Sequence, residues 1–458
     1  MFEACEALVT ETPDLDRSSD AVRGYLYEPY EAEPLIVRRQ LSACSLVCKA
    51  WTLPAQLRML HSAKLYRASQ AQSLLAFLSS ARILGNAVQV LELGRNSADR
   101  RDHRALSRWH VFEILRRCHR IQMLSLLQWR PDDQCNAVDP RSPFLPPITL
   151  DVLSRHDPFE RLTTLRLHQY TGSLQSLADL LVLIPVLETF SFEGNLTTAV
   201  IDGDYPPAPF SLRRLSVAGY GGGFLGGFGW ILGRSWNTLN RLDLGLLSGP
   251  IDEDLLAGIR ANGSSIQYLS ITLCQIDVAA IIKCCPNLRA LRIDGTHSLP
   301  HAPHFMHSLR HCLAALSPET SNTPLSSPVT TLSLHAPQSP STSPAIHLRT
   351  LNLVFIGTLS GKYPLGKSPS AREMEEFVYD LRHLDALSRL QAVTLEFCTR
   401  YSYSDAPLTE LRMIADVCTK RRISIQMPDL YDLVMGTRVS DRSDRRYTRH
   451  GRFFSMHT

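Results

Sequence analysis

Between residues 88 and 395 the apolar positions fall into a short motif, Leu-x-x-Leu-x-Leu with Val, Ile or Phe allowed. It begins at Val88, Ile121, Leu162, Leu187, Leu212, Leu239, Ile266, Leu288, Val329, Leu348 and Leu390. Its last two apolar positions alternate with polar ones, the period of a strand. Between motifs, apolar residues recur at three- and four-residue spacing, which predicts helices over 111–118, 174–184, 253–259, 278–284, 373–387 and 408–417. Pro185 and Pro286 stand between a helix and the next strand, where a residue that cannot continue the helical hydrogen bonds enforces a stop.

The central motifs, at 162, 187, 212, 239, 266 and 288, are 25, 25, 27, 27 and 22 residues apart. That period holds one strand and one return segment, the leucine-rich-repeat unit. The unit places Asn or Cys eight residues after its first leucine, where a side chain satisfies turn backbone; Asn96, Asn195, Cys274 and Cys398 stand there. Right-handed crossovers then set successive strands side by side. The expected fold is α/β: a curved leucine-rich-repeat solenoid, a parallel sheet lined by helices, with a small N-terminal helical segment. Such an array also accommodates 458 residues, too many for one compact core.

The expected organisation is an acidic, flexible lead-in over 1–37, a helical segment over 38–66, the solenoid over 67–425 and a basic tail over 426–458. Pro-rich insertions near 297–347 and 357–371 interrupt the solenoid. The lead-in carries nine Asp and Glu up to residue 34 against Arg17 and Arg23; the tail carries six Arg from 438 onward against Asp441 and Asp444.

Charge and composition narrow the function classes. A formal net charge of +4 is too small for this length to argue for nucleic acid. Eleven cysteines without a Cys-x-x-Cys pair argue for reduced thiols in the cytoplasm or nucleus, not a disulfide framework or zinc site. Glu3 and Glu6 replace the basic-then-apolar start of a signal peptide. Residues 220–233 are uncharged, but they are glycine-rich and short of the ~20 residues of a membrane span, so no membrane partner is expected.

In the N-terminal segment Leu41, Cys44, Val47 or Cys48, and Trp51 mark one apolar helical face. Thr52 is placed to cap a second helix with Pro54 in its first turn and Leu57 and Leu60 on its buried side. The string Leu41-Ser42-Ala43-Cys44-Ser45-Leu46-Val47-Cys48-Lys49-Ala50-Trp51 resembles the second half of an F-box. Leu60-His61-Ser62-Ala63-Lys64-Leu65 is similar to the closing segment of that family, with His61 in place of an aromatic residue. The opening Leu-Pro and apolar helix of the family are not matched upstream, where Pro34-Leu35-Ile36-Val37 is the nearest remnant. The resemblance implies a substrate-recognition subunit of an SCF-type cullin-RING ubiquitin ligase, docking on the Skp adaptor through Leu41, Cys44, Leu46, Val47, Trp51, Leu57 and Leu60. The alternative is a non-catalytic interaction scaffold whose degenerate F-box merely caps the first repeat.

Enzyme chemistry finds little footing. His297, His301, His304, His307 and His311 lack a converging acidic partner, and Pro300 and Pro303 break their frame, so no metal is expected. Gly221, Gly223 and Gly226 fit Gly-x-Gly-x-x-Gly, yet no helix is predicted to open there and no phosphate-neutralising lysine follows; Phe224, Phe228 and Trp230 are expected to pack on the solenoid. Neither a Gly-x-Ser-x-Gly elbow nor a His-Glu-x-x-His pair occurs. The chain is therefore expected to be no enzyme and to need no cofactor. Asn195-Leu196-Thr197 and Asn262-Gly263-Ser264 match the glycosylation pattern, in the absence of a secretory signal by chance, and Ser-Pro pairs at 317, 327, 339, 343 and 368 are formal kinase acceptors.

What remains is a surface. With the motif leucines facing the helices, alternate strand positions line the concave side of the sheet. The candidate partner-binding residues are Arg166, His168, Arg214, Arg241, Asp243, Tyr268, Arg292, Asp294, Asn352 and Glu396, a face suited to an unknown target protein of acidic or mixed charge.

Overall fold

A computed structural model describes residues 35–80, 82–94, 106, 108–127, 159–197, 205–219, 227–245, 253–272, 278–294, 312–313, 348–355, 371–383, 387–397 and 408–426. Twelve strands run in sequence order through one sheet, every neighbouring pair parallel. They are β1 (Ser62–Leu65), β2 (Val90–Leu93), β3 (Met123–Leu127), β4 (Thr164–Gly172), β5 (Thr189–Leu196) and β6 (Arg214–Gly219). The series continues with β7 (Arg241–Gly245), β8 (Tyr268–Thr272), β9 (Ala290–Asp294), β10 (Thr350–Phe355), β11 (Ala392–Phe397) and β12 (Ser424–Gln426). An α/β array with this connectivity fits a curved solenoid.

Each strand from β2 to β11 begins two residues after a motif start. Those starts, Val88, Ile121, Leu162, Leu187, Leu212, Leu239, Ile266, Leu288, Leu348 and Leu390, are all buried. The remaining start, Val329, lies outside the described residues. The residue after each start supplies a regular spine. The Gln89 carbonyl accepts from the Gln122 and Met123 amides at 2.8 and 3.0 Å, and Thr163, Glu188, Arg213, Asn240, Gln267, Arg289 and Arg349 repeat that double acceptance. Backbone groups at the mouth of every repeat are thereby satisfied by the next one.

Ten helices among the described residues return the chain: α1 (Leu35–Val47), α2 (Lys49–Leu60), α3 (Ala68–Ser80), α4 (Arg108–Arg117) and α5 (Leu174–Val182), then α6 (Phe228–Leu232), α7 (Glu253–Asn262), α8 (Val278–Lys283), α9 (Ala371–His383) and α10 (Leu408–Lys420). Six of them match the predicted helices to within a few residues. The sequence pattern missed α3 and α6, and missed β1 and β12. From β1 onward the helices and strands enclose one continuous apolar cluster that runs from Ala63 to Ile423.

Contacts between repeats hold the stack at fixed spacing. Thr238 and Ser265 donate their hydroxyls to the Leu212 and Leu239 carbonyls of the preceding repeat, both at 2.8 Å. Arg117 reaches back to the Leu75 carbonyl of α3, and Arg421 to the Leu381 carbonyl in the last turn of α9, an acceptor that a helix terminus leaves open. At Gly263 the backbones come so close that an added Cβ would lie 1.7 Å from the Cys284 carbonyl oxygen. In the second glycosylation triplet, Asn262 is fully buried and donates to Gly258 at 2.8 Å, which leaves it out of reach of modification.

The N-terminal hairpin corrects several expectations. The predicted single apolar face from Leu41 to Trp51 is broken, because Cys48 adopts extended backbone (φ −158°, ψ 161°) and Trp51 belongs to α2. Leu41 and Cys44 are half-buried while Val47, at the end of α1, is 67% exposed. Thr52 is not the cap; its hydroxyl donates inward to the Ser45 and Cys48 carbonyls at 2.8 and 3.1 Å, tying the hairpin together. Pro54 lies inside α2 rather than in its first turn. Leu57 and Leu60, expected on the buried side of α2, pack against the solenoid core, and two residues past Leu60 the chain enters β1. The segment expected to end at residue 66 therefore already contains the first strand of the sheet.

The glycine-rich stretch also departs from expectation. A short helix, α6, opens at Phe228 after Gly227, whose φ of 81° is left-handed and suits a residue without Cβ. Phe228 is buried against Phe192 at a centroid distance of 5.3 Å, and Trp230 donates its indole N–H to the Pro206 carbonyl at 2.9 Å. Phe224 and the residues of the glycine triplet at 221, 223 and 226 lie outside the described residues, as do the histidines at 297, 301, 304, 307 and 311 and the Ser-Pro pairs.

Candidate partner-binding surfaces

Strand alternation sends Leu215, Leu242, Leu269 and Leu291 into the core, all 0–1% exposed, and so turns Ser216, Asp243, Ser270 and Arg292 to the opposite, concave side. In register these form one row across the whole sheet. It reads Lys64, Glu92, Ser125, Arg166, Ser191, Ser216, Asp243, Ser270, Arg292, Asn352, Thr394 and Gln426. A second row carries Arg214, Arg241 and Tyr268 on consecutive strands, and a third carries His168, Glu193, Thr272, Asp294 and Glu396. Every concave residue named from the sequence occupies one of these rows.

The rows are less open than the sequence implied. Asp243, Arg292, Asn352 and Thr394 are buried, at 7, 4, 3 and 3% exposure. Arg166 and His168 are half-buried. His168 Nδ1 stands 2.8 Å from Glu193 Oε2, so this candidate binder is already engaged within the sheet. Glu396 holds its place on β11 in register with Val354.

The sequence-predicted residues that do converge are Arg214, Arg241, Asp243 and Tyr268, on β6, β7 and β8. Arg241 donates its Nε to Asp243 Oδ2 at 3.0 Å and lies over the Tyr268 ring with Cζ 4.2 Å from the centroid. Arg214 Nε is 3.7 Å from the same carboxylate oxygen. Two guanidiniums therefore share one carboxylate. Burial, with Asp243 nearby, pushes the Tyr268 hydroxyl up to about 12, against the opposing pull of Arg241, Arg292 and Arg214, so it stays protonated and remains a donor at neutral pH. Ser216 Oγ, Arg241 Nη2 and Tyr268 OH are enclosed without a hydrogen-bond partner.

The fold brings in residues that the repeat pattern could not reveal. Lys64 on β1 pairs with Glu92 at 3.3 Å, and the hydroxyl of Tyr66 bonds the same carboxylate. Burial and that acceptor raise the Tyr66 hydroxyl well above the ordinary tyrosine range. The only sequence signal for β1 was the alternation of Ala63 and Leu65, two positions long.

A second surface lies on the hairpin. Leu46 is 84% exposed, Val47 67% and Leu53 48%, three large apolar side chains on adjoining parts of α1 and α2. Trp51, between them in sequence, is half-buried. Among the described residues no cluster of three or more His, Cys, Asp and Glu could hold a metal, and no helix is long and apolar enough to cross a membrane.

No family model matches the chain. No curated protein matches it at a significant level either. Its class is accordingly that given by geometry, a parallel-sheet repeat array with a polar concave face and a short helical hairpin at its N-terminal edge.

Proposed function

We propose that the chain is an F-box-like substrate-recognition subunit of an SCF-type cullin-RING ubiquitin ligase, a leucine-rich-repeat protein that holds a target protein on its concave face. In this reading the chain performs no bond chemistry and needs no cofactor. It positions the target while the Skp adaptor grips the hairpin.

The observation that carries the reading is the exposure of Leu46, Val47 and Leu53 on a hairpin welded to the repeat array. Isolated apolar residues on a surface are ordinary, but three large exposed ones between residues 46 and 53 of one hairpin suit a protein partner. Leu57 and Leu60 pack into the array core and α2 runs directly into β1. A partner gripping α1 and α2 is thus held at a fixed attitude to the concave face, which is what a recognition subunit requires. Leu46 and Val47 belong to the string that resembles the second half of an F-box, and Leu53 lies two residues beyond its end.

The test is co-purification of full-length chain with the Skp adaptor, compared with the same chain lacking residues 38 to 62. Retention lost on deletion supports the ligase reading, and failure of the intact chain to retain the adaptor removes it. The absence of the opening Leu-Pro from the sequence over 15–40 favours a second reading, a scaffold whose hairpin only closes the N-terminal edge of the array. There Trp51→Ala lowers thermal stability while no adaptor interaction exists to change.

A further inference from the structure

We propose that the edge of the array where the strands begin binds single-stranded RNA, with phosphates along a strip of exposed arginines and a base stacked on Trp236. This surface is neither the concave face nor the hairpin, and the inference goes beyond the ligase reading without depending on it.

The strip follows from the repeat. All twelve strands are parallel neighbours, so their first residues share one edge. Arg120 and Arg161 precede the buried Ile121 and Leu162 there. Arg213, Arg289 and Arg349 follow the buried Leu212, Leu288 and Leu348, and Arg389 and Arg422 precede the buried Leu390 and Ile423. All seven arginines are exposed. Neighbouring strands stand about 4.8 Å apart, so the strip from β3 to β12 is roughly 40 Å long. Two ordinary explanations fall short. Cations near a helix C-terminus offset its dipole, but that benefit fades within the last turn. Arg289 lies well past the end of α8, and no described helix stands between β5 and Arg213. A merely solvated edge would mix both signs of charge. Glu160 and Glu188 are the only acids in the described turns between helix ends and strand starts, and the same turns add Arg234 and Arg421. Glu188 stands 3.6 Å from Arg213, and among the described residues the other six arginines of the strip have no carboxylate partner. The net charge of +4 conceals this strip because it also counts the nine Asp and Glu of the lead-in.

The chemistry of the strip selects the partner. A guanidinium fork matches two oxygens of a phosphate. Between the arginines stand Gln122, Asn240, Gln267 and Gln391, all exposed. Their amides donate and accept, as ribose 2′-hydroxyls and base edges require, whereas a run of carboxylates offers acceptors only. Trp236, in the turn ahead of β7 and so between Arg213 and Arg289 along the edge, is 66% exposed, and the core makes little use of it. Its turn is held rigidly. Ser211 donates to the Arg234 carbonyl at 3.0 Å and Thr238 to the Leu212 carbonyl at 2.8 Å, while Asn287 ties the next two turns by donating to the Ser264 carbonyl at 2.6 Å. A fixed, exposed indole among arginines is a platform for a base. An unpaired strand has base faces free to stack on it, and a duplex does not.

The experiment measures anisotropy of fluorescein-labelled oligouridylate with full-length chain over a salt series, with unlabelled oligouridylate, oligodeoxythymidylate, duplex RNA and polyglutamate as competitors. Saturable, salt-sensitive binding is expected, with oligouridylate the strongest competitor. Arg213→Gln, Arg289→Gln and Arg349→Gln together weaken binding about tenfold or more and flatten the plot of log affinity against log salt by about two, at about 0.7 per lost phosphate contact. Lys at the same three positions keeps the slope. Trp236→Ala weakens binding about fivefold to a hundredfold with the slope unchanged, as loss of one stacked base requires. Because all four side chains are exposed, the unfolding temperature stays that of the wild type, which separates lost contacts from a lost fold. Absence of saturable binding overturns the inference. So do variants that bind as tightly as wild type, which would place the RNA elsewhere, such as on the basic tail. DNA, duplex or polyglutamate competing as well as oligouridylate would replace single-stranded RNA by that partner.

Discussion

Replacing Leu46 and Val47 together by Ser separates the two functional readings. Both side chains are exposed, at 84 and 67%, so the folded chain loses little, and surface substitutions of this kind usually fall within about 0.5 kcal/mol of neutral. An adaptor that covers them gains the apolar area they now show to water. Full burial of a Leu or Val side chain is worth about 1.5–3 kcal/mol, and scaling by the exposed fractions gives roughly 2–4 kcal/mol for the pair. That corresponds to an affinity loss of roughly thirtyfold to a thousandfold. The assay is calorimetric titration of purified Skp adaptor into full-length chain, wild type and double variant, with thermal unfolding of both in parallel. A double variant that binds the adaptor as tightly as wild type refutes the assignment of this patch. A variant that unfolds at clearly lower temperature refutes the placement of the two residues on the surface.

Three further outcomes test the fold around the two surfaces. Gly263→Ala forces a Cβ to within 1.7 Å of the Cys284 carbonyl oxygen, a backbone atom that cannot swing away, and should lower stability by about 2 kcal/mol in urea unfolding; an unchanged midpoint contradicts the close approach of these repeats. Iodoacetamide followed by peptide mapping should label exposed Cys48 in the native protein and spare Cys118, Cys285 and Cys418, whose thiols burial pushes up to about 12, 12 and 11. Acidification should loosen α4. Burial lowers the His110 pKa from 6.5, so the stability from keeping it neutral is complete above 6.5 and lost as pH falls below that value. The hydrogen bond from Arg116 likewise holds the Glu113 carboxyl below 4.5, and its contribution goes at still lower pH. His110→Phe should flatten the slope of unfolding midpoint against pH just below 6.5, and an unaltered slope would count against a buried neutral His110.

Much of the array was legible because its cause is local. A strand buried on one face must alternate, and a repeat that buries its motif leucines against the next helix must restate that alternation every two dozen residues or so. The starts at Leu162, Leu187, Leu212, Leu239, Ile266 and Leu288 therefore located β4 to β9 two residues ahead of each strand. The proline after α8 marked a boundary for the same kind of reason, since its effect on the backbone needs no distant partner. β1 and β12, four and three residues long, gave no such signal, because they are strands only through pairing with β2 and β11.

Tyr170 lies between these cases. Alternation from Arg166 and His168 would place it on the concave side, yet Gln169 takes a φ of 53° where the register with β5 shifts, and Tyr170 turns inward to 1% exposure. Its hydroxyl then donates to the Ser173 carbonyl at 3.1 Å, beside the cap of α5. Nothing in the local sequence announces a bulge, because it answers the neighbouring strand.

By itself the sequence determined the α/β repeat, the motif strands and the residues available to the concave face, all consequences of side-chain period along a single segment. Only the tertiary structure decided which of those residues meet. Register between strands brings Arg241 to Asp243 and Tyr268, engages His168 with Glu193, and leaves Leu46 and Val47 uncovered at the edge of the array. Period is a property of one strand or helix, whereas pairing, burial and an uncovered face depend on groups that only the stacked repeats bring within reach.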